Sequence, residues 1–445
     1  MGSDFFQWAS EVLDPKKAFL KPEALKGIRV LELCTLIFGP VVPDWLSEFG
    51  AEVIKVELPG MGDTMRYVTP YGFFWKNISP AFQEQNHNKY HVGLDVRTPE
   101  GKELFLDLAR RCDVVVENLR AGTMDKWGIG YRDLLEVNPR IIYLANNGFG
   151  QWGPFAHGRP SYDAIAQSVS GLMAVSGFPG RPPLKSGVWI GDFTGGCMSA
   201  VAVLAALYYR EKTGKGQYIE FSQGENLMRW LDWTWLYAHF TGKNRPQAGN
   251  RDLAICPADI VRCKDGYVAI AAFSEEEFKG LCEAMGKSEL ARDPRFSDPL
   301  ERLKEENAAV VLEAVREWAR EKTVREIDEL GAQYGFASSP VLDAKAQYES
   351  EHWRARGAVW EYNDPIYGTM VEWGPAPKLS ETPGRVKWGA RPVGVDNEHV
   401  FIRVLGLAPS RLKELEEKGT IGKWVDRVGQ KPPEDWDGES GLFYP

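Results

Sequence analysis

The sequence predicts an α/β fold in which a large domain with a mostly parallel sheet is joined to a smaller α+β domain. Two observations carry this. Short β-rich runs alternate with helical patterns from Ile28 to about Phe221, and beyond Gly249 a strand-like run stands among strongly charged helices.

Residues 1–26 precede the alternation and read as an N-terminal extension. The large domain spans 27–224 and opens with the strand IRVLEL. Gly39-Pro40 then breaks the chain and starts a helix through Trp45, Leu46 and Phe49, which ends at Gly50 and leads into the strand EVIKVEL. Thr98-Pro99-Glu100 supplies an N-cap with proline at the first helical position, followed by a helix and the strand DVVVENL. A fourth unit runs through Leu134 to the strand IIYLANN. Gly- and Pro-rich loops lead to helices at about Tyr162 to Met173 and Asp192 to Arg210, a turn at Thr213 to Gly216 and the strand QYIEFS. Residues 225–334 form a linker helix, crowded with Trp230, Trp233, Trp235, Tyr237 and Phe240, and the small domain with the strand YVAIAAF. Segment 335–445 is rich in Pro, Gly and Trp, with a helix near Ser410 to Lys418, and after Gln430 it reads as a surface arm.

A chain of 445 residues with 44% hydrophobic residues can bury sizeable cores. The 53 basic and 62 acidic residues leave a net charge of −9, so there is no general cationic field for nucleic acid or an anionic membrane surface. A polyanionic ligand must therefore meet a local basic pocket. Six scattered cysteines show neither a CxxC pair nor a zinc spacing, which points to a reducing cytoplasm. The start, MGSDFFQWASEVL, lacks a basic region followed by an apolar core, so no secretion signal is expected. The longest apolar stretch, around Ala200 to Tyr209, is too short to span a bilayer, and no membrane segment is expected.

Gly148-Phe-Gly150-Gln-Trp-Gly153 fits a dinucleotide-binding pattern, but Pro154 follows at once and no helix begins there, so a glycine-rich ligand loop is preferred. The chain has no GxxxxGK[ST], HExxH or GxSxG and no kinase set, which leaves triphosphate hydrolysis, zinc proteolysis and lipase chemistry without their residues. No metal site and no nucleotide cofactor are expected.

Four segments carry a resemblance. They are GIRVLEL with Gly39-Pro40 and GAEVIKVELPGMGDTMR; NHNKYHVGLDVRTPEGKELFLDLARRCDVVVENLRAG; NPRIIYLANNGFGQWGP with RPSYDAIAQSVSGLM; and SGVWIGDFTGGCMSAVAVLAALYYREKTGKGQYIEFS. Together they resemble the family III CoA-transferases, which include formyl-CoA and carnitine CoA-transferases and, more distantly, α-methylacyl-CoA racemase. The resemblance implies a Rossmann-like, CoA-binding large domain, a C-terminal segment that returns to it, and an interlaced dimer, homo- or heteromeric. It implies coenzyme A thioesters and carboxylic acids as substrates.

In the family the nucleophile is an aspartate after a small residue at the head of a helix, which maps to Asp192 in Gly191-Asp192-Phe193. On the residues alone, Asp192 fits an N-cap with packing glycines as well as an ionised oxygen cleared by Gly187, Gly191, Gly195 and Gly196. The resemblance selects the nucleophile. Amides near Gly148 to Gly153 and Gly195 are candidate oxyanion donors. Asp163, the family's second acidic position, either orients the reacting groups or caps the helix that follows it. Family positions that contact CoA map to Leu36, Ile37, Leu94, Asn118 and Lys126, with Arg66, Lys89, Arg97, Arg120 and Arg159 as further basic candidates. Tyr90 and Leu58 stand where relatives often carry basic residues.

The racemase branch shares the Gly-Asp-Phe signature but needs a second acid/base, commonly His before the residue matching Asp163. Here that residue is Tyr162, too weak an acid near neutral pH, which favours CoA transfer. A non-catalytic subunit is the remaining alternative, and the retained Asp192 argues against it. The chain is also similar to subunits of benzylsuccinate CoA-transferase, which implies succinyl-CoA as donor and an aryl-bearing acceptor. Other dicarboxylic, carnitine-like or phenyllactate-like acceptors stay open.

Overall fold

The computed structural model describes residues 2–156, 158–440 and 442. It divides into two compact units. The larger comprises Met1–Ser170, Gly187–Asp232 and Glu351–Pro445, the smaller Gly171–Ser186 and Trp233–Ser350.

The larger unit is built on a seven-stranded sheet. Its strands β1 (Arg29–Leu33), β2 (Glu52–Glu57), β3 (Lys89–Leu94), β4 (Val114–Glu117), β5 (Ile142–Asn147) and β6 (Gln217–Ser222) lie in the order β3-β2-β1-β4-β5-β6 and pair in parallel. The short strand Ile421–Gly422 pairs antiparallel with β3 at the edge. Apolar runs such as Val114-Val-Val116 suit a sheet covered on both faces, because alternate side chains feed separate cores. Leu31, Ile54 and Val115 join Phe105 and Leu108 on one side, whereas Val30, Val53 and Val114 join Leu46 and Val203 on the other. The chain builds outward from β1 in one direction through β2 and β3, then in the other through β4 to β6. The crevice between β1 and β4 is thus a topological switch point, where open α/β sheets bind ligands beyond the strand C-termini.

Several details correct the sequence reading. Strand β3 was not expected, because its polar-looking KYHVGL hides six buried positions, with Lys89 and His91 satisfied internally. The helix expected through Met173 is interrupted at Gly171, whose φ of 92° is left-handed. The linker helix is two helices, Gln223–Arg229 and Thr234–Thr241, parted near Asp232 at φ 42°. The apolar helix reaches from Ile190 to Thr213, and by length and composition it could cross a bilayer. In this structure one face of it is packed: Ser199, Ala200, Val203 and Ala206 are buried. Gln430 itself is buried and donates Nε2 to the Gly60 carbonyl at 3.1 Å, while beyond it most of the described residues up to 440 are exposed or half-buried, as a surface arm requires.

The smaller unit carries the antiparallel sheet of β7 (Ala258–Arg262), β8 (Tyr267–Ala271) and β9 (Ala337–Pro340), packed on amphipathic helices such as Glu305–Arg320. Because β9 supplies the third strand, this unit runs past the expected boundary at 334 to Ser350.

Candidate functional site

The loop after β1 crosses the switch point and is held from both sides. Asn118, just past β4, accepts the Thr35 amide at 2.9 Å and donates to the Thr35 carbonyl at 2.7 Å, so one side chain pairs a whole residue's backbone as a strand would. Asp63 Oδ1 accepts both the Thr35 hydroxyl and the Leu36 amide at 2.8 Å. These bonds keep Leu36 at φ 65°, a region that costs a branched residue free energy and persists only where surroundings over-determine it. Gly39 admits Asn118: a Cβ there would lie 2.7 Å from the asparagine Cγ.

Below the loop lies a dry ionic network. Lys55 binds Glu32 at 2.7 Å and Asp63 at 2.9 Å, and Lys89 binds Glu32 at 2.9 Å, all essentially inaccessible to solvent. Arg66 clamps Glu57 with Nε and Nη2 at 2.7 Å each. Arg66 and Lys89 are therefore structural cations, and the sequence reading that offered them to a ligand's phosphates is corrected. Desolvation makes such pairs costly to break rather than available to bind.

Above the strand ends opens a cleft of about 190 Å³ lined by Thr35, Leu58, Leu94, Arg97, Leu119 and Trp127, among others. It brings together two expected ligand residues, Leu94 and Arg97. Arg97 is exposed but already forked onto Asp95, with Nε at 2.7 Å and Nη2 at 2.8 Å. Leu36 is half-buried, and Ile37 is buried in an apolar cluster with Val41, Met65 and Phe82, so Ile37 faces the core. Lys126 is exposed on the short helix Thr123–Trp127 that also carries Trp127. Arg159 is exposed and stacks its guanidinium over Phe155 at 4.0 Å.

The loop's far side touches the helix that bears Asp192. In chain order the helices used here are α1 (Val41–Glu48), α2 (Asp163–Val169), α3 (Ile190–Thr213) and α4 (Gln223–Arg229). Gly195 and Gly196 let α3 approach closely, since Cβ atoms there would meet the Phe38 ring at 2.5 Å and Val41 at 2.7 Å. They are packing glycines rather than glycines that clear space at the acid, and Gly195 lies inside the helical ladder, unsuited to donate to an oxyanion. Asn146 on β5 ties the parts together, donating to the Phe38 carbonyl at 3.3 Å and accepting from Ser199 at 3.0 Å.

Asp192 lies in the first turn of α3, buried, with a second carboxylate behind it. Asp163 Oδ1 accepts the Gly191 amide at 2.8 Å, and its Oδ2 accepts from Gln167 at 2.6 Å. Asp163 thus caps not its own helix but the one carrying Asp192. Gln223, the first residue of α4, donates Nε2 to Asp192 Oδ1 at 2.5 Å. Its helix is fixed by Gly224 N to the Gly148 carbonyl at 3.1 Å, by Asn226 to Thr194 at 3.0 Å and by Trp230 to Asn226 at 3.3 Å. Burial pushes the Asp192 carboxyl up to about 8, the nearby Asp163 charge adds to it, and the Gln223 bond offsets part of the rise. Such a group is a carboxylic acid for much of the neutral range and a basic, poorly hydrated oxygen nucleophile when ionised.

Of the expected oxyanion amides in the glycine loop, Phe149 N is taken by Asn147 at 2.9 Å and Gln151 N by Glu220 at 2.7 Å. Sequence reasoning missed Gln223 and Asp63. The Ser222-Gln-Gly-Glu225 spelling was a usable signal: it is a helix-start pattern, and Ser222 does accept the Glu225 amide. Among the described residues no group of three or more His, Cys, Asp or Glu side chains is placed to hold a metal ion.

A sequence model of CoA-transferase family III matches residues 25–397. The chain is a family III CoA-transferase. This transferase is 33% identical over 401 residues to the succinyl-CoA--D-citramalate CoA-transferase of Chloroflexus aurantiacus, covering 90% of this chain and 98% of that protein. It is 33% identical over 402 residues to the beta subunit of the succinyl-CoA--L-malate CoA-transferase of the same organism, with 89% and 98% covered. Against the succinyl-CoA:mesaconate CoA-transferase of Haloarcula hispanica the identity is 38% over 275 residues, with 61% and 69% covered. The crystal structure of a CAIB/BAIF family protein from Brucella suis superposes with a TM-score of 0.74 at 30% identity, over 86% of the transferase and 99% of that chain. Asp192, Asp163 and the switch-point loop all fall within the matched residues.

Proposed function

We propose that this transferase moves CoA from succinyl-CoA to a dicarboxylic acid by way of covalent intermediates on Asp192. The ionised carboxylate attacks the donor thioester carbonyl, expelling CoA thiolate and leaving a mixed anhydride. The thiolate then attacks the aspartyl carbonyl, which releases the donor acid and leaves an aspartyl-CoA thioester. An incoming carboxylate reverses both steps and departs as the new acyl-CoA. One thioester replaces another, so the exchange needs no external energy source. The carrying observation is the buried Asp192 carboxyl at a helix N-terminus, held on one oxygen by Gln223. Its burial favours anhydride transfer over hydrolysis.

The three named relatives transfer from succinyl-CoA to D-citramalate, L-malate and mesaconate, which supports a succinyl donor and a short dicarboxylic acceptor. Benzylsuccinate is the aryl-bearing acid of that class. Trp230, more than half exposed at the end of α4 and anchored by Asn226, supports an aryl-bearing acceptor. We take the CoA moiety to occupy the switch-point cleft lined by Thr35, Leu94, Arg97 and Trp127, with Lys126 beside Trp127 on the same short helix.

The outward face of α3 carries Val201, Leu204, Tyr208 and Tyr209, each more than two-fifths exposed. Such a face supports a dimer with an identical or related chain. Six free cysteines, five of them buried, fit a reducing cytoplasm.

The test is to incubate the protein with succinyl-CoA, trap with hydroxylamine or borohydride, and map the modified peptide by mass spectrometry. Modification at Asp192, absent in Asp192→Asn, is expected. Unimpaired transfer by Asp192→Asn would overturn the reading.

A further inference from the structure

We infer that Gln223 is a catalytic residue, the oxyanion donor for the aspartyl half of the reaction. This rests on Asp192 being the nucleophile. Two different carbonyls are attacked in each half-cycle. When Asp192 attacks the donor thioester, negative charge develops on the substrate's acyl oxygen. When CoA thiolate attacks the anhydride, the new S–Cγ bond pushes the carbonyl electron pair onto an oxygen of Asp192 itself. The tetrahedral carbon then collapses, the Cγ–O bond to the donor acid breaks, and that acid leaves as a carboxylate. The return half places charge on the same aspartyl oxygen as the acceptor attacks Cγ and thiolate departs.

Gln223 Nε2 is on Oδ1 at 2.5 Å. Oδ2 is therefore the oxygen that forms the anhydride bond, and Oδ1 is the one that becomes carbonyl and then oxyanion. The ionised nucleophile, the anhydride and the thioester can all only accept at Oδ1, so the amide N–H serves each of them. Gln223 is 2% exposed, and in such a water-poor place an aimed donor stabilises developing charge strongly. It is also held in advance: Ser222 caps α4, Gly148 accepts the Gly224 amide, and a Cβ on Gly191 would come within 3.5 Å of the Gln223 Cγ, so the glutamine stem lies against the turn that carries Asp192.

A donor confined to Oδ1 splits the two steps, which a merely structural glutamine does not. The full-length wild type, Gln223→Met and Gln223→Ala are mixed with succinyl-CoA. Hydrolytic release of free CoA and the covalent CoA adduct at Asp192 are followed in the same samples across pH. In both variants the adduct is expected to form about 100- to 1,000-fold more slowly, the loss typical of one oxyanion donor. Hydrolytic release, which needs only the anhydride, is expected to change less than about tenfold on the same scale. If adduct and hydrolysis fall together with a shifted pH midpoint, Gln223 only tunes the ionisation of Asp192 and the inference is overturned. Unchanged adduct formation overturns it as well. Wild type without any adduct at Asp192 would instead sink the nucleophile reading beneath it.

Discussion

The carboxylate of Asp163 closes on the amide of Gly191, at 2.8 Å, one residue ahead of Asp192. This single contact does two things: it fixes the start of α3 and sets a negative charge beside Asp192. The two effects separate on substitution. Asp163→Asn keeps an acceptor for the amide but removes the charge that raises Asp192. Its pH–rate midpoint for adduct formation should therefore move from about 8 toward acid. Asp163→Ala also loses the cap and should cost about 1 kcal/mol of stability. Stopped-flow pH profiles and urea melts measure the two.

Asp192 makes the protein's stability depend on pH in the sense opposite to an ion-paired carboxylate. Its folded value lies above the usual 3.8, so the folded state holds a proton that the unfolded chain gives up between that value and about 8. The contribution is complete below the unfolded value and is lost as pH rises through the folded one. Asp192→Asn should consequently match wild type near pH 4 and exceed it near pH 8.5, by up to about 6 kcal/mol. Denaturant midpoints at the two pH values check this; a constant difference would refute it.

Asn118→Ala removes both partners of the Thr35 backbone. Leaving that peptide unpaired should cost about 1–3 kcal/mol. The released loop would no longer hold Leu36 at positive φ, so KM for the CoA ester should rise more than kcat falls. Initial-rate kinetics on succinyl-CoA distinguish this from a general loss of folded protein.

Two arginines that look alike in sequence should behave in opposite ways. Arg66→Ala strands a buried Glu57 and should cost roughly 3–5 kcal/mol. Arg97→Ala, at the cleft and solvated, should leave stability within about 1 kcal/mol. Its loss should raise KM for CoA thioesters, with a dependence on ionic strength that Arg66→Ala lacks.

The parallel sheet was legible because its strands are continuous apolar runs punctuated by Gly and Pro. Asp192 stands out as the candidate because family wording surrounds it. What stayed hidden was polar and buried. KYHVGL looks like a loop until Lys89 and His91 find Glu32 and Glu57, partners 57 and 34 residues away in the chain. Gln223 likewise sits 31 residues from the oxygen it touches. Periodicity reports which face is greasy; it is silent on long-range polar pairing. Arg66 and Lys89 were misread for the same reason, since a buried, paired cation is indistinguishable in sequence from a surface one.

The edge pairing of Ile421–Gly422 with β3 carries a consequence for biosynthesis. The sheet begun at residue 29 gains its last strand only after the entire smaller unit has left the ribosome. A Cβ at Gly93 would collide with the Gly422 carbonyl at 2.1 Å, so this late partner is expected at one register. Nascent chains stalled before residue 421 should leave the β3 edge open to intermolecular pairing and fall to chaperones or aggregation, although Gln223 and Asp163, which bond Asp192 and set its charge environment, have already been made.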